Sequence, residues 1–590
     1  MQLFRGDDRR VGADRHVGAA GVPEGLAHTL HLAVAAELVH ARPEVERGLL
    51  LGERLGSYPA IKRAVRQDHA HVEALLEHAR RREAVARQPP GKAMANAAQA
   101  ATVFLQCCVC EPKPAVASVA LRRYVVTRKD AEGVRRGLLY QALAPFGSAL
   151  DDDAQIRTTS VYLPSYVVPM LPEAISNELC SLKADVERLA LVCDMQVAVN
   201  GDVRDFEFYD AVICSHGRLT YEQVQAHLDQ GHELPVAREN QKPVAKSVAA
   251  LAALHDAFRQ ARERRGGLDF ETREGAIEIV AGHVTSVSRV QRLKAHQMIE
   301  EAMINANVCA ARFIENAEQC SLYRVHAVPD PIKLEELGLD LRGGGLSLPK
   351  GVPQPIVFKR LLDELGQRSN GWLYQQLILR SMQQAVYTPK NQGHFGLGLE
   401  RYMHFTSPIR RYPDLLVHRA IKAILRGDLS RLPGLDQLED FGERCSSLER
   451  RAESAGWTVE AWLKCDLLKH RTGDTFSGTI AGVTEFGLFV DIEGYFVQGL
   501  LHISDLGADY FSFERAQQCL VGERNGKRYG LGDRIQVLVA NVEPAQGKID
   551  LRRVGGGAKP DGFKSNKGIK QSNKSAGKAS KKHRRGRRSA

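Results

Sequence analysis

Two consecutive stretches of the chain, residues 189–199 and 206–214, are mostly apolar with single polar residues interspersed. Short apolar runs that turn residues delimit are typical of strands. Asn200 and Gly201 lie between the two stretches, and this pair suits the backbone angles of a tight turn. The pattern therefore predicts an antiparallel hairpin at this point.

Apolar stripes with a period close to that of a helix dominate the middle of the chain. A further helix is expected after a turn near residue 410, because Pro413 suits a first helical turn and Gly427 suits a helix end. The stretch 272–287 predicts a strand instead. The other predicted helices are 244–264, 297–315, 358–385 (mainly helical) and about 435–469.

The pattern becomes purely strand-like from Thr475 onwards, with turns that carry Gly or Asp. Five short strands in about 80 residues are typical of an OB-type barrel. We therefore expect a mixed α+β chain with a helical and stranded part, residues 147–471, followed by a β-barrel domain, residues 472–555. The predicted barrel strands are about 475–483, 487–492, 497–501, 534–542 and 548–552.

The second barrel strand also indicates which side chains are buried. Leu488, Val490 and Ile492 share one face, and this face should be core. Phe489 and Asp491 share the opposite face, where an aromatic ring beside an acid is a candidate stacking platform.

Composition separates both ends of the chain from its middle. Residues 1–146 are rich in Arg, Ala and His, and Tyr58 is the only aromatic residue between Phe4 and Phe104. This scarcity argues against a well-packed core, and no function is assigned to the segment. Residues 556–590 are expected to form a disordered tail. From Lys559 onwards this tail has 12 Lys or Arg residues and one acid. Such a tail is either a solubilising end or a nucleic-acid-binding arm.

Cysteine usage and hydropathy limit the classes of protein that the chain can belong to. Its eleven Cys have no framework spacing, and the group 107–110 lacks a second ligand pair for zinc. Free thiols without disulfide partners are therefore expected. No run of 18 apolar residues exists, which predicts a soluble, cytoplasmic protein without membrane partners.

The stretch 404–419, His-Phe-Thr-Ser-Pro-Ile-Arg-Arg-Tyr-Pro-Asp-Leu-Leu-Val-His-Arg, is the most informative part of the sequence. Five cationic or imidazole side chains and two aromatic rings occur in a turn that leads into a helix. Arginine binds phosphate oxygens in pairs, and aromatic rings stack on bases. The composition of this stretch therefore suits a nucleic-acid strand.

This stretch also resembles the signature of the RNB (ribonuclease II/ribonuclease R) family of exoribonucleases. The resemblance covers about three quarters of the chain, and its motifs follow the family's order. The barrel is similar to an S1-type OB domain through Gly478, 486–490 and 499–504. The other matching segments are 147–151, 159–164, 168–173, 179–182, 218–221, 299–301, 322–326, 393–397 and 449–452.

The resemblance implies 3′→5′ hydrolysis of single-stranded RNA to nucleoside 5′-monophosphates, with Mg²⁺ held by a cluster of aspartates. It also implies partners in the ribosome or the RNA-decay machinery. Arg410 and Arg411 are the candidate catalytic residues, and the sequence does not decide which of them faces the phosphate. Tyr162 either stacks on the terminal base or is buried. For Phe486, which shares the parity of the apolar positions, and for Arg324 and His326, a core role is the alternative. Phe489 is the better candidate for stacking. The remaining candidate RNA-binding residues are thus Arg324, His326, Phe486, Phe489 and His502.

The expected aspartate motif is missing from its place upstream of residue 147, so the metal ligands are unknown. Residues 100–146 hold only Glu111, Asp130 and Glu132 as acids, and 151–153, three aspartates, read better as a helix start. The family's two cold-shock barrels are also not recognisable. We therefore expect residues 1–146 to be foreign to the family, as after a change of reading frame; translation of the upstream DNA in all frames tests this.

Two alternatives to the exonuclease follow from this gap. One is an RNA-binding remnant that has lost hydrolysis. The other is a translation-associated S1-type factor, which would sediment with ribosomes. A local departure from the family at 453–459, where Gly456 and Trp457 stand in a helix, changes the surface without changing the predicted fold.

Overall fold

A computed structural model describes residues 146–555, except 165, 271, 272, 274, 281, 282, 349, 350 and 352. It also describes the backbone of two short strands, β1 (Cys107–Val109) and β2 (Ser118–Leu121). The predictions for the rest of residues 1–146 and for the basic tail lie outside the described residues.

The predicted hairpin forms from β5 (Glu187–Ala198) and β6 (Val203–Cys214), which pair antiparallel. It is part of a four-stranded sheet with the order β1-β2-β5-β6. Gly201 in the turn has a positive φ of 84°, and a Cβ atom there would lie 2.1 Å from the carbonyl oxygen of Ala257. Glycine is therefore required both by the backbone angle and by the helix that packs on the turn.

Three helices cover one face of this sheet: α3 (Gln241–Arg265), α4 (Lys294–Asn316) and α8 (Tyr412–Arg426). The sheet contributes Met195, Val197 and Phe208 to the shared core. The helix boundaries agree with the periodicity of the sequence, and Gly427 ends α8 at a φ of 69°. The middle of α8 packs in this core, and its first turn packs in a second core with Ala154 and Met170.

The remaining elements of this part differ from the prediction in two places. The stretch 272–287 contains a hairpin and not one strand, and 358–385 contains two helices. The break between those helices is tight, because a Cβ atom at Gly371 would lie 1.8 Å from the carbonyl oxygen of Leu365. The elements are α1 (Ala149–Arg157), β3 (Val161–Leu163), β4 (Tyr166–Val168), a π-helix (Ala174–Leu179), α2 (Tyr221–Gln230), β7 (Gly275–Val280), β8 (His283–Arg289), β9 (Tyr323–Val325), α5 (Pro331–Arg342), α6 (Pro355–Gly366), α7 (Gly371–Ser381) and β10 (Val386–Thr388).

The C-terminal strands close into the predicted five-stranded barrel in the order β11-β12-β13-β18-β17. Leu488, Val490 and Ile492 are at most 1% exposed, so the predicted core face is confirmed. The sequence reading missed a three-stranded sheet between β13 and β17. The strands are β11 (Thr475–Thr484), β12 (Gly487–Ile492), β13 (Val497–His502), β14 (Phe511–Glu514), β15 (Cys519–Gly522), β16 (Arg528–Gly530), β17 (Arg534–Glu543) and β18 (Lys548–Arg553).

A single long helix, α9 (Leu435–Lys469), joins the two parts of the molecule. Phe441 and Cys445 near its start pack in the same core as the first turns of α8. Cys465 and Leu468 near its end pack in the core of the barrel. This helix therefore contributes side chains to both cores and holds the barrel against the helical part. None of the helices that the structure describes is both long and apolar enough to cross a membrane.

Candidate functional site

Backbone hydrogen bonds place the turn before α8 beside the strand that carries Tyr162. The N–H of Tyr412 donates to the carbonyl oxygen of Thr158 at 2.7 Å, and the N–H of Ser160 donates to that of Arg410 at 2.9 Å. Residues separated by about 250 positions in the sequence are thus neighbours. This pairing brings Arg410 and Tyr162 to one surface.

Arg410 is half-buried, and its guanidinium remains available for a ligand. Its Nη2 donates to Ser407 Oγ at 3.2 Å, and its Cζ lies 5.9 Å from the centroid of the Tyr162 ring. It forms no ion pair with any residue between 146 and 555 that the structure describes. Tyr162 is 38% exposed, which decides that it is a surface ring and not a core residue. A cation with unused donors beside an open aromatic face suits a phosphate with its neighbouring base.

Arg411 occupies a different environment, inside the packing. It is 7% exposed, and its Nη2 donates to Asp414 Oδ1 at 2.7 Å. Burial by itself lowers the pKa of Arg411, but the adjacent Asp414 carboxylate outweighs burial and the net shift of the pKa is upward. The same Oδ1 atom accepts the N–H of Ser407 at 2.7 Å. Arg411 and Asp414 therefore fix the shape of the turn that presents Arg410.

The three aspartates at 151–153 lie at a helix start, as the sequence suggested. The cap is Ser148, whose side chain accepts the N–H of Asp151. Asp151 is completely buried, and its Oδ1 accepts from Arg419 Nη2 at 2.6 Å and from the Tyr412 hydroxyl at 3.0 Å. These hydrogen bonds of Asp151 connect α1 with α8 and fix the position of the first turn of α8.

Arg324 and His326 both lie in packed surroundings. Arg324 Nη1 lies 2.5 Å from Glu449 Oε2, and its Cζ lies 4.5 Å from the centroid of the Tyr387 ring. His326 Nδ1 accepts the N–H of Gly396 at 2.9 Å. Both side chains therefore contribute to the packing of this part of the molecule, and their contact with RNA stays a prediction.

A buried cluster that the sequence reading missed surrounds Arg324. The Tyr387 hydroxyl lies 2.9 Å from His404 Nδ1 and 3.3 Å from Glu449 Oε1. Burial, followed by the nearby Arg411 and Arg324, lowers the pKa of His404 well below its usual value, so its ring is neutral at pH 7. Glu449 lies in the motif 449–452, and this motif is the signal in the sequence that points to Glu449.

The barrel presents its three predicted RNA-binding residues on one outer face. Phe486 is 50% exposed, so the reading of Phe486 as a core residue is wrong. The strand begins at Gly487, and the alternation that buries Leu488 does not extend back to Phe486. The rings of Phe486 and Phe489 lie 6.0 Å apart, and His502 is opposite Gly487 on the neighbouring strand. We name Phe486, Phe489 and His502 the barrel face.

Comparison with known families and proteins agrees with this organisation. Residues 141–427 match the model of the RNB domain, and residues 469–553 match that of the S1 RNA binding domain. The chain is 43% identical to Ribonuclease R of Escherichia coli (strain K12) over 420 residues, which are 68% of this chain and 51% of that protein. It is 42% identical to Ribonuclease R of Vibrio parahaemolyticus over 426 residues, 69% of this chain and 50% of that protein. The chain thus spans about half the length of the curated relatives that it matches.

Solved structures show the same likeness. The apo form of Mycoplasma genitalium RNase R is similar with a TM-score of 0.67 and 28% identity, over 75% of this chain and 67% of that one. The same enzyme in complex with ribose methylated single-stranded RNA has a TM-score of 0.67 and 27% identity, over 77% and 70% of the two chains.

Proposed function

We propose that the chain is a 3′→5′ exoribonuclease acting on single-stranded RNA, because residues 141–427 match the model of the RNB domain and residues 469–553 match that of the S1 RNA binding domain. The products would be nucleoside 5′-monophosphates. The observation that carries the proposal is the placement of Arg410, with its unused donors, beside the exposed Tyr162 ring.

Each residue of this pair has a distinct task in the proposal. The Arg410 guanidinium donates to the oxygens of the scissile phosphate and stabilises the negative charge that grows there as the bond to the leaving oxygen breaks. Tyr162 stacks on the base of the terminal nucleotide, and stacking accepts all four bases. Together they hold the last nucleotide of a strand by contacts that do not depend on sequence.

RNB-type hydrolysis implies a divalent cation, and we propose Mg²⁺. Such a cation needs several carboxylate oxygens that converge on it. Across the part of the chain that the structure describes, no three Asp, Glu, His or Cys side chains converge closely enough to hold a metal ion. Asp151 does not fit this task, because Arg419 and the Tyr412 hydroxyl already occupy one of its oxygens. No step of the proposal is therefore assigned to a metal bound by these residues.

The alternative that the sequence left open is an RNA-binding protein without hydrolysis. The two candidates are separated by one experiment. The full chain is incubated with Mg²⁺ and a single-stranded RNA that has a free 3′ end and a label at its 5′ end. A ladder that shortens from the 3′ end, with release of mononucleotides, supports the exonuclease. Stable retention of intact RNA overturns hydrolysis and leaves the binding protein.

The barrel face supplies a prediction that is independent of hydrolysis. Phe489→Ala should weaken the binding of single-stranded RNA by about 1–3 kcal/mol, because a stacking surface is removed. Filter binding or fluorescence anisotropy without divalent cations measures this change. Tyr510→Ala is the matched control, because Tyr510 is a 54% exposed ring on the same barrel domain outside this face. Equal affinity of Phe489→Ala and the unchanged chain would reject the role of the barrel face.

Three expectations stay predictions. They are the location in the cytoplasm, the partners in the ribosome or the RNA-decay machinery, and the division of the chain at residues 146, 471 and 555. Sedimentation of tagged protein with ribosomes would test the partner prediction.

A further inference from the structure

A cavity of about 340 Å³ lies where α7, α9 and the barrel meet. Its volume is within the range of about 300–1,000 Å³ that small-molecule sites occupy. The charged side chains and tryptophans that line it are Arg273, Trp372, Trp457, Glu460, Lys464 and Asp491. It is separate from the pair formed by Arg410 and Tyr162, and the proposed function does not use it.

Two of the three tryptophans of the chain line this cavity. Trp372 is covered by a cation, because the Cζ of Arg273 lies 4.2 Å from the centroid of its ring. Trp457 is 55% exposed, which is high for so large an apolar side chain. An uncovered indole at the rim of a cavity offers a flat surface for a planar ring.

Asp491 supplies the polar contact on the barrel side. It lies on the outward face of β12, and its neighbours across the cavity include the cations Arg273 and Lys464. Burial raises the pKa of Asp491 to about 6, although the positive charges of Arg273 and Lys464 act to lower this pKa. No hydrogen bond from another described residue reaches its carboxylate. A half-buried carboxylate without a donor is suited to accept hydrogen bonds from a ligand.

Helix α9 connects the cavity with the candidate site. Glu449, Gly456, Glu460 and Lys464 recur at spacings of seven and four residues, so they share one face of the helix. A Cβ atom at Gly456 would lie 3.8 Å from the carbonyl oxygen of Tyr162. Trp457 directly follows Gly456, so this side of the cavity lies near the strand that carries Tyr162. Lys464 lies roughly 12 Å further along the helix axis.

We propose that this cavity is a binding site for a guanine base, stacked on Trp457 and held at its edge by the Asp491 carboxylate. Guanine is the base whose edge presents two adjacent donors, N1–H and N2–H, and these match the two oxygens of one carboxylate. Adenine, cytosine and uracil each present a single such donor group beside an acceptor. The carrier is either a guanine within an RNA strand, which rests on the proposed function, or a free guanine nucleotide, which does not.

The test measures binding in metal-free buffer at pH 7.5, so that hydrolysis does not contribute. Calorimetry compares guanosine, inosine and adenosine 5′-monophosphates, and anisotropy compares hexauridylate with hexamers carrying one guanosine or one adenosine. We expect the guanosine ligands to bind at least about tenfold more tightly than the adenosine ligands, with inosine between them. Preference in the hexamers alone identifies RNA as the carrier, and preference in the mononucleotides identifies a free nucleotide. Equal binding of all bases overturns the proposal.

Variants assign the preference to the cavity. Asp491→Asn should abolish the preference for guanosine, whereas Glu493→Gln, two residues further on and exposed, should keep it. Trp457→Ala should weaken the binding of the guanosine ligand about tenfold or more, and Trp457→Phe should restore most of it. Because Trp457 is exposed, this variant tests the site even if Asp491→Asn does not fold. An Asp491→Asn protein that still prefers guanosine contradicts the proposal. Arg444→Ala, which removes an exposed arginine of α9, should keep the preference whether or not the chain hydrolyses RNA.

The pH dependence of guanosine binding gives an additional readout. Only the ionised Asp491 carboxyl accepts two hydrogen bonds, so guanosine affinity should fall as the pH is lowered through about 6. Arg273, Glu460 and Lys464 are the other charged groups facing the cavity among its described lining residues. The affinity for hexauridylate should change less over the same interval. A guanosine affinity that is constant between pH 5 and 7.5 would contradict the role of Asp491.

Discussion

Replacement of Arg410 by alanine is expected to lower the rate of RNA hydrolysis by about 10²–10³-fold, the usual effect of removing one donor that stabilises transition-state charge. The reason is that Arg410 has no acidic partner among the described residues and faces the Tyr162 ring, so its donors are available to the phosphate. Single-turnover degradation of a labelled single-stranded RNA measures the effect. The melting temperature should change little, because the side chain contributes one hydrogen bond to Ser407.

The control for this prediction is Arg444→Ala, which removes an exposed arginine of α9 and should leave the rate unchanged. Arg410→Lys should recover only part of the rate, since an ammonium group does not bind two phosphate oxygens in the planar manner of a guanidinium. If Arg410→Ala degrades RNA as fast as the unchanged chain, the assignment of the phosphate contact is wrong. If the unchanged chain does not hydrolyse RNA, the same variant is compared by its affinity for RNA with a 3′ end.

Replacement of Asp414 by alanine is expected to lower the free energy of unfolding of the part that contains α8 by about 3–5 kcal/mol, because it leaves the buried charge of Arg411 without a partner. The loss includes the acceptor for the N–H of Ser407, which is buried in the same turn. Urea unfolding followed by circular dichroism measures this change, with tryptophan fluorescence as a second probe.

Asp436→Ala is the matched control, because Asp436 is also in the first turn of a helix but is exposed. Its expected effect is at most about 1 kcal/mol, the size of a helix-dipole contribution. A combined Arg411→Met and Asp414→Ala chain should be more stable than Asp414→Ala alone, since the unpaired charge is then gone. Equal stability of Asp414→Ala and Asp436→Ala would show that the ion pair does not hold the turn.

These two predictions assign different roles to Arg410 and Arg411, which the sequence does not distinguish. Arg410 and Arg411 are adjacent and chemically identical, yet one is half-buried beside Tyr162 and the other is sealed against Asp414. Their difference depends on the direction in which each side chain leaves the turn. That direction is set by the hydrogen bonds to residues 158–160, which are far away in the chain.

Local periodicity determined much of the fold from the sequence alone. The hairpin of β5 and β6, the limits of α8 and α9, and the five barrel strands follow from short apolar runs, from repeats of two or 3.6 residues and from turn residues such as Gly201 and Gly427. The arginine-rich turn also indicated chemistry directed at phosphate and bases. These features depend on neighbours within a few residues, and a sequence displays such neighbours directly.

Only the tertiary structure decided which side chains meet. Asp151 pairs with Arg419, Arg324 pairs with Glu449, and Trp457 shares a cavity with Asp491, and none of these pairs is close in sequence. The exposure of Phe486 likewise depended on where its strand begins. Burial and ion pairing result from the packing of distant segments against each other, so no local pattern encodes them; the sequence specified the elements and the kind of chemistry, and the packing selected the residues.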